Sequence, residues 1–530
     1  MDAGVENDEA VAEEVRGWLK DNWDPTITVR EWWARLADSG WGFPTWPEEW
    51  FGRGLSSDAA VVVRRELSEA NVLGPPIGMG VSLTSGVLFT HGTEEQKARW
   101  LPAIARGEEA WCQFFSEPGA GSDLASAQTR AVRDGDEWIV NGQKVWSSGA
   151  READHGILVA RTDIDVPKHK GLSFFGIDVE QPGIELRPIK QMNGQSHFNE
   201  SFFTDARVPD ENLIGGLSNG WAVAMTTLAH ERTTYAAGRD YSLRGVAPGV
   251  KEGNLDRIVG DVMSEPPGDS GWTAAFPLGF SDALVAVAKQ YGADRDRTMR
   301  QRIAGLYALS EAIRFTGLRV KAAVQAGRPP GVESSIAYLA GVTIARQTRD
   351  LGLAMLGPHG MVMGPGAPLD GAVAMMALTV PCHGIMGGSE QIQRNIIGER
   401  VLGLPKEPQV DRDVPFRQIE GRDPARLARA GSAGAIIEPS SLRGVVRVGS
   451  REVDHPVARR PRAAAAGRGR EAGAFLAGPV AGGRPRRPAR RLRVDLLRHP
   501  DRRVGDAAAQ RRRHPPHVVD GAQPQHRREA

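Results

Sequence analysis

The chain has 530 residues, of which 41% are hydrophobic and 25% charged, a balance typical of globular proteins. No apolar run is long enough to span a bilayer, and no basic segment followed by an apolar one indicates a secretion signal. The two cysteines, Cys112 and Cys382, support neither a disulfide framework nor a cysteine-rich metal site. We therefore expect a reduced, cytoplasmic protein.

The net charge of +1 is the sum of an acidic body, residues 1–410, and a basic tail, residues 411–530. Residues 411–530 hold 27 arginines against 13 acidic residues, and they lack Lys, Thr, Asn, Met, Tyr, Trp and Cys entirely. Such a segment can bury little, so we predict a disordered tail. A basic arm for nucleic acid or a membrane surface is one interpretation. Out-of-frame translation of GC-rich DNA fits the abrupt loss of residue types better, and the acidic body does not favour nucleic-acid binding.

Helical periodicity dominates the first part of the chain. The predicted helices cover residues 9–20, 29–39, 57–71 and 78–91. Thr93, with Gln96 three residues later, has the pattern of a capping box and predicts the start of another helix.

Short alternating runs separated by turn residues predict β structure over residues 111–208. The periodicity then becomes helical again, and the predicted helices cover 276–290, 297–326, 332–356 and 390–402. The Gly/Pro-rich stretch 243–275 is predicted to be a loop insertion. The order of helices, strands and helices indicates an α+β chain rather than alternating βαβ units. We place its domains at 1–110 (α-helical), 111–212 (β) and 213–410 (α-helical).

The most informative stretch spans residues 111–149. An apolar strand leads into Ser116-Glu117-Pro118-Gly119-Ala120-Gly121-Ser122-Asp123, a hydroxyl followed by a Pro/Gly turn. Two short apolar runs then flank Asn141-Gly142, which predicts a β-hairpin. The first motif can direct main-chain N–H groups and the Ser116 hydroxyl at a flat polar ring. Two ordinary strands of a small β domain are the alternative.

Together the two motifs resemble the flavin-facing region of the acyl-CoA dehydrogenase family. The resemblance covers residues 1–410 and implies an N-terminal helical domain, a middle β-barrel, a C-terminal four-helix bundle and FAD as cofactor. It implies that Phe115 and Ser116 contact the pyrimidine end of the isoalloxazine. Trp146 would lie beside the ring, and Ser148 would form a hydrogen bond near N5.

The resemblance also implies α,β-dehydrogenation of an acyl-CoA thioester, which requires a carboxylate base. Many members carry the base in a loop whose base position is Gly387 in this chain. A subset carries it on the first long helix of the C-terminal bundle, immediately before an arginine, where this chain has Glu231 and Arg232. We predict Glu231 as the base; a solvated helix acid is the alternative. Its neighbour His230 is predicted to lie at the surface.

The substrate is expected to contact Arg232, Gly387 and, through its CoA part, Ser122. Glu390 is predicted to be structural, because an acidic residue at the start of a helix favours the helix dipole. The cofactor is expected to contact Gln301, Ser389 and Gln391 as well.

Some family features are absent. The arginine and phenylalanine that family members supply across the dimer are replaced by Gln290 and Ala293, and a further glutamine by Ala354. Two assemblies remain open. One is a homodimer or homotetramer whose FAD site is completed by nearby arginines, namely Arg295, Arg297 and Arg300. The other is a heteromer in which a paralogous chain supplies the missing groups.

The resemblance therefore predicts an FAD-dependent acyl-CoA dehydrogenase that passes electrons to an electron-transferring flavoprotein. An acyl-CoA oxidase and a catalytically silent acyl-CoA-binding subunit are the alternatives. The 243–275 insertion and Met386 are the candidates for shaping the acyl pocket.

Overall fold

The computed structural model describes residues 2–236, 243–265, 281–325, 333–406, 408–409 and 411–419. Helices occupy both ends of this part of the chain, and strands occupy its middle. The helices are α1 (Asp2–Asn22), α2 (Val29–Asp38), α3 (Ser57–Glu69), α4 (Ser85–His91), α5 (Glu94–Ala105), α6 (Gly220–Ala236), α7 (Val259–Ser264), α8 (Ser281–Gln290), α9 (Arg297–Gln325), α10 (Glu333–Leu356), α11 (Ala372–Thr379) and α12 (Glu390–Arg400). The strands are β1 (Trp111–Phe114), β2 (Arg130–Asp134), β3 (Glu137–Lys144), β4 (His155–Arg161), β5 (Leu172–Asp178), β6 (Ile184–Ile189) and β7 (Phe198–Pro209). This order confirms the predicted α+β architecture, while the exact domain boundaries stay predictions.

The N-terminal helices enclose a core around two tryptophans of α2. Trp32 and Trp33 are fully buried, and their indole N–H groups donate to main-chain oxygens of residues 73 and 74 at 2.7 and 2.9 Å. Both α2 and α5 begin with a capping box. The box at Thr93 and Gln96 confirms the sequence prediction for the start of α5.

The insertion after α6 packs beneath the N-terminal helices over its described part, residues 243–265. Leu255, Val259 and Val262 are buried in the same core as Trp32. Main-chain hydrogen bonds of 2.9 Å join Val29 N to Arg257 O and Val259 N to Ile27 O. This part therefore completes the N-terminal core, and residues 266–275 lie outside the described residues.

The seven strands form one curled sheet, which is the predicted middle β domain. Strand β4 pairs with β5 along one edge and with β1 and then β2 along the other, and β3, β7 and β6 follow. The pairings of β4 with β1 and β2 are parallel, and the others are antiparallel.

The hairpin predicted at Asn141-Gly142 is wrong. Strand β3 runs through both residues, and the β2–β3 turn lies earlier, at 135–136. Pairing with β7 shifts register between Val140 and Gly142, so the dipeptide forms a bulge. A Cβ at Gly142 would lie 2.5 Å from Thr129 Oγ1, and glycine is therefore required by close packing rather than by a turn.

The C-terminal helices are arranged around α10, which packs against α6, α8, α9 and α12. Buried apolar side chains of α8, α9 and α10 form their shared core, including Leu284, Leu306 and Leu351. The predicted long helices agree with α8, α9, α10 and α12, whereas α11 was not predicted. Within the described ranges, no helix is both long and apolar enough to cross a bilayer.

The predicted disorder begins too early in the chain. Residues 411–419 are ordered and lie on the middle domain, where Phe416 N donates to Val166 O at 2.9 Å. Phe416 is only 3% exposed. The arginine-rich composition of the tail gave no indication that Phe416 would be buried. Residues 420–530 lie outside the described part of the chain.

Candidate active site

The two sequence motifs meet where β1 and β3 end. Val145 N donates to Ser116 O at 2.8 Å, and Lys144 Nζ donates to Phe115 O at 3.0 Å. The end of β1 is therefore fixed beside the segment that carries Trp146.

A buried ion pair lies beneath this junction. Lys144 is completely buried, and its ammonium lies 2.8 Å from the carboxylate of Glu117. Glu117 also accepts hydrogen bonds from the main-chain N–H groups of Gln128 at 2.7 Å and Thr129 at 2.9 Å. Burial opposes the charge of Glu117, but Lys144 and these donors outweigh it and lower the pKa of the carboxyl. The pair joins the first motif to the second through charge as well as through the main chain.

Trp146 has an unusual backbone and an exposed ring. Its φ of 64° lies in the left-handed region, which costs energy for a bulky residue and is commonest at functional sites. The next residue holds it there, because Ser147 and Asn199 exchange main-chain hydrogen bonds of 3.1 and 3.2 Å. Trp146 is 56% exposed, although its ring makes a T-shaped contact with Phe198.

These residues fit a flat, polar cofactor ring. Across the described part of the chain, neither the Ser116 nor the Ser148 hydroxyl has a protein hydrogen-bond partner, yet Ser148 is nearly buried. The Ser148 hydroxyl keeps access to solvent, so a bound group can reach it. Two available hydroxyls and a strained, exposed indole at one sheet edge match the edge and face of an isoalloxazine.

Glu231 is half-buried on α6, a helix that packs against α10. Burial, and after it the charge of Glu231, raise the pKa of Tyr338 on α10. The Tyr338 hydroxyl donates to His383 O at 2.5 Å and also contacts Met386 O. The structure thus brings Glu231 close to the turn that contains Gly387. Arg232 follows Glu231 on α6, but its side chain is outside the described residues.

The start of α12 has structural roles. Glu390 receives hydrogen bonds of 3.1 and 2.7 Å from Arg346, which lower its pKa. Its pairing agrees with a structural role. The Ser389 hydroxyl caps α12 by accepting from Ile392 N at 3.4 Å, and Gln391 is exposed.

Sequence reasoning missed Gln393. It is buried and donates to Gly387 O at 3.2 Å and to Gly388 O at 3.5 Å. The signal was available in the helical period, because residues two apart cannot share a face. Gln391 and Gln393 therefore point apart, and it is Gln393 that supports the turn.

His230 does not lie at the surface as predicted. Its ring packs against Gly86 of α4, where an added Cβ would lie 2.5 Å from Nε2, and burial lowers its pKa. It lines a cavity of about 260 Å³ with Trp46 and Phe89. The 243–275 insertion contributes no described residue to the lining.

The remaining predicted residues are exposed. Ser122 lies in the loop after β1, Gln301 lies on α9, and Gln290 ends α8. The candidate arginines Arg295, Arg297 and Arg300 are also exposed, around the turn between α8 and α9. Among the residues that the structure places, no group of His, Cys, Asp and Glu could hold a metal ion.

Family models match this chain in three consecutive parts. They are the acyl-CoA dehydrogenase N-terminal domain over residues 6–108, the middle domain over 112–206 and the C-terminal domain over 273–402. The chain is 34% identical over 411 residues to acyl-CoA dehydrogenase IpdE1 of Mycobacterium tuberculosis, covering 74% of this chain and 97% of that protein. It is 36% identical over 371 residues to acyl-CoA dehydrogenase FadE34 of the same organism, but spans only 46% of its length, against 70% of this chain.

Solved structures agree with this assignment. The steroid acyl-CoA dehydrogenase Tcur3481-Tcur3483 superposes with a TM-score of 0.57 at 26% identity, covering 76% of this chain and 98% of that one. The ChsE4-ChsE5 complex from Mycobacterium tuberculosis superposes with a TM-score of 0.56 at the same identity and coverage. With matches to all three domains and to nearly the whole length of IpdE1, this chain belongs to the acyl-CoA dehydrogenase family of FAD-dependent oxidoreductases.

Proposed function

We propose that the chain catalyses α,β-dehydrogenation of an acyl-CoA thioester, with Glu231 as the base that removes the α proton. The observation that carries the proposal is that α6 packs against α10 with the Glu231 carboxylate near enough to raise the pKa of Tyr338. Tyr338 in turn holds the turn that ends at Gly387, the position at which many family members carry the base. Helix α6 thus offers a carboxylate, whereas the loop position that carries the base in many family members is glycine here.

The other site residues would hold the cofactor, and Glu231 would handle the proton. Bound FAD supplies an acceptor for the β hydrogen, which leaves as hydride. Ser116 and Ser148 would hold the polar edge of the ring, and Trp146 would cover part of it. Glu231 keeps the α proton after abstraction, and general-base assistance of this kind contributes roughly 10²–10⁴-fold.

The test uses the FAD-loaded full chain under anaerobic conditions, with loss of flavin absorbance as the readout. Glu231→Gln is expected to retain flavin and acyl-CoA binding while reduction slows by at least about 10²-fold. Glu390→Gln is the matched control, because its carboxylate already pairs with Arg346, and reduction should stay close to the wild-type rate. The opposite pattern in the two variants would show that the base is misassigned.

The same assay separates the other functions. A wild-type flavin that no acyl-CoA reduces would indicate a silent binding subunit, and rapid peroxide formation in air would indicate an oxidase. A panel of straight-chain, branched, aromatic and steroid acyl-CoAs identifies the substrate class.

Two further parts of the proposal concern partners. We infer that electrons pass to an electron-transferring flavoprotein, as the family resemblance implies. We also infer that a paralogous chain joins the assembly, because Gln290 and Ala293 stand where a cation and an aromatic ring are expected. The ChsE4-ChsE5 complex, which pairs two differently named chains, supports this arrangement. A homo-oligomer completed by the arginines near residue 297 is the competing one.

A further inference from the structure

Residues 411–419, which we call the C-terminal strap, lie along the loop between β4 and β5. Phe416 N donates to Val166 O at 2.9 Å, and Arg417 N donates to Ile164 O at 3.0 Å. The strap therefore joins the 163–168 loop through an isolated β-bridge between Pro415 and Pro167, followed by a 3-10 turn over Phe416–Gln418. The Phe416 side chain is buried against the middle domain.

The surface beneath Phe416 is the guanidinium of Arg161. The centre of the guanidinium lies 3.5 Å from the centroid of the Phe416 ring, within the range of a cation–π contact. Arg161 is itself buried and donates to Ala125 O at 2.6 Å and Ala127 O at 2.9 Å. These oxygens belong to the segment immediately after Ser122 and Asp123. Phe416 thus covers the side chain that holds the end of the first motif.

A second link connects the strap to the same motif. Lys168 Nζ lies 2.7 Å from the carboxylate of Asp411 and 3.0 Å from that of Asp123. Burial alone would lower the pKa of Lys168, but the hydrogen bonds to Asp411 and Asp123 raise it. Lys168 therefore stays charged and joins the first residue of the strap to the residue next to Ser122.

Ser122 depends on these supports because its own loop is exposed. Ser122 and its neighbours on both sides are exposed, and nothing lies within 4 Å of a Cβ built at Gly121. The loop is held at its start by the ion pair of Glu117 with Lys144. At its end it is held by Arg161 and Lys168, each of which contacts the strap.

We propose that Asp411 and Phe416 are positioning residues that hold Ser122 in place for the CoA part of the substrate. The inference rests on the proposed function and on the expectation, implied by the family resemblance, that Ser122 contacts the CoA part of the substrate. Neither strap residue touches the reacting atoms, so release of the strap should weaken CoA binding and leave the chemical step nearly unchanged.

The test compares variants of the FAD-loaded full chain by two measurements. Hydrogen exchange follows the protection of residues 119–128, and titration calorimetry with free coenzyme A measures its affinity. Phe416→Ala and Asp411→Asn are each expected to lose protection there and to bind CoA about tenfold more weakly, the order of one charge-assisted hydrogen bond. Phe416→Trp and Asp411→Glu should restore both values. Flavin reduction at saturating acyl-CoA should stay within about twofold of wild type, since positioning affects binding more than chemistry here.

Arg417→Ala is the matched control, since it removes only an ion pair with Asp165 in which both side chains are more than half exposed. If Phe416→Ala compromises folding, Asp411→Asn still decides the question. Unchanged CoA affinity after loss of protection would overturn the proposal, and so would unchanged protection. A wild-type chain that binds no CoA would instead overturn the proposed function, and this inference with it.

Discussion

Lys144 shows at the residue scale how a buried charge connects the two sequence motifs of the candidate site. Its ammonium hydrogen-bonds to the Glu117 carboxylate and to Phe115 O. Lys144→Met keeps most of the side-chain volume but leaves a buried carboxylate without its cation. Breaking one side of a buried ion pair costs about 3–5 kcal/mol, so we expect a lower urea midpoint and loss of bound FAD.

The control for this variant is Lys97→Met on α5. Lys97 pairs with Glu94 at 2.8 Å, but Glu94 is largely exposed, and surface pairs contribute about 0–1 kcal/mol. Equal midpoints for the two variants would refute the special role of the buried pair. Flavin content, read from the visible absorbance, should fall only in Lys144→Met.

His155 should make the stability of the folded chain decrease as the pH becomes alkaline. It lies 2.7 Å from Asp178 and 3.2 Å from Glu109. Burial works against its charge, but the two carboxylates outweigh burial and raise its pKa to about 9. Because an unfolded histidine titrates near about 6.5, the stabilisation is fully present below that pH and is lost as the pH rises to about 9.

We expect the free energy of unfolding to fall across this window by up to about 1.4 kcal/mol per pH unit, measured by urea titration. His155→Gln keeps a hydrogen-bonding side chain of similar size but cannot carry the charge. In this variant the free energy of unfolding should change much less than in the wild type as the pH rises from about 6.5 to about 9. A wild-type stability that does not change between them would contradict the assignment.

The start of α5 carries a prediction at the element scale. Thr93 caps the helix, and Gln96 completes the box while donating to Glu211 O at 2.7 Å and Leu213 O at 3.0 Å. Loss of the cap in Thr93→Ala should cost about 1 kcal/mol. Gln96→Ala should cost more, because it also leaves two main-chain oxygens near the end of β7 without their donor.

Urea unfolding of both variants, with Thr28→Ala at the corresponding cap of α2 as reference, checks this order. Equal costs for Thr93→Ala and Gln96→Ala would mean that the contacts between α5 and the segment after β7 add nothing to stability.

Features of the secondary structure were predictable from the sequence where they depend only on residues close together in the chain. The capping box at Thr93 involves neighbours three residues apart, and it was predicted correctly. The dipeptide Asn141-Gly142 has the composition of a turn, yet pairing with β7, about sixty residues away, makes it a bulge. The positions of His230 and Phe416 were missed for the same reason, since each is decided by packing against a distant segment.

At the scale of the whole molecule, the order of helical and alternating periods was sufficient to predict the architecture. The two motifs at 116–123 and 141–148 were visible because their residues are contiguous. The support from Tyr338 was not visible, because α6 and α10 meet only in the folded chain, whereas the support from Gln393 is local and could have been inferred from the helical period of α12. The sequence therefore indicated candidate site residues, whose roles stay predictions, but it did not indicate all the residues that support them.

Assembly is the remaining question at this scale. Bound FAD carries two phosphate charges that need cations or N–H donors. The turn between α8 and α9 has exposed Gln290 and partly buried Ala293 at the expected positions, with exposed Arg295, Arg297 and Arg300 nearby. We expect the isolated chain to hold less than one FAD per protomer and to regain full occupancy when a paralogous acyl-CoA dehydrogenase chain is added.

The measurement combines flavin absorbance with light scattering on the full chain and on a version ending at residue 419, which keeps the strap. Both should give the same flavin content, because we predict no contact with FAD for residues 420–530. In a heteromer, Arg295→Ala and Arg300→Ala should leave flavin content nearly unchanged, since the partner supplies the phosphate contacts. A homo-oligomer with one substrate-reducible FAD per chain, lost in either arginine variant, would establish the competing arrangement.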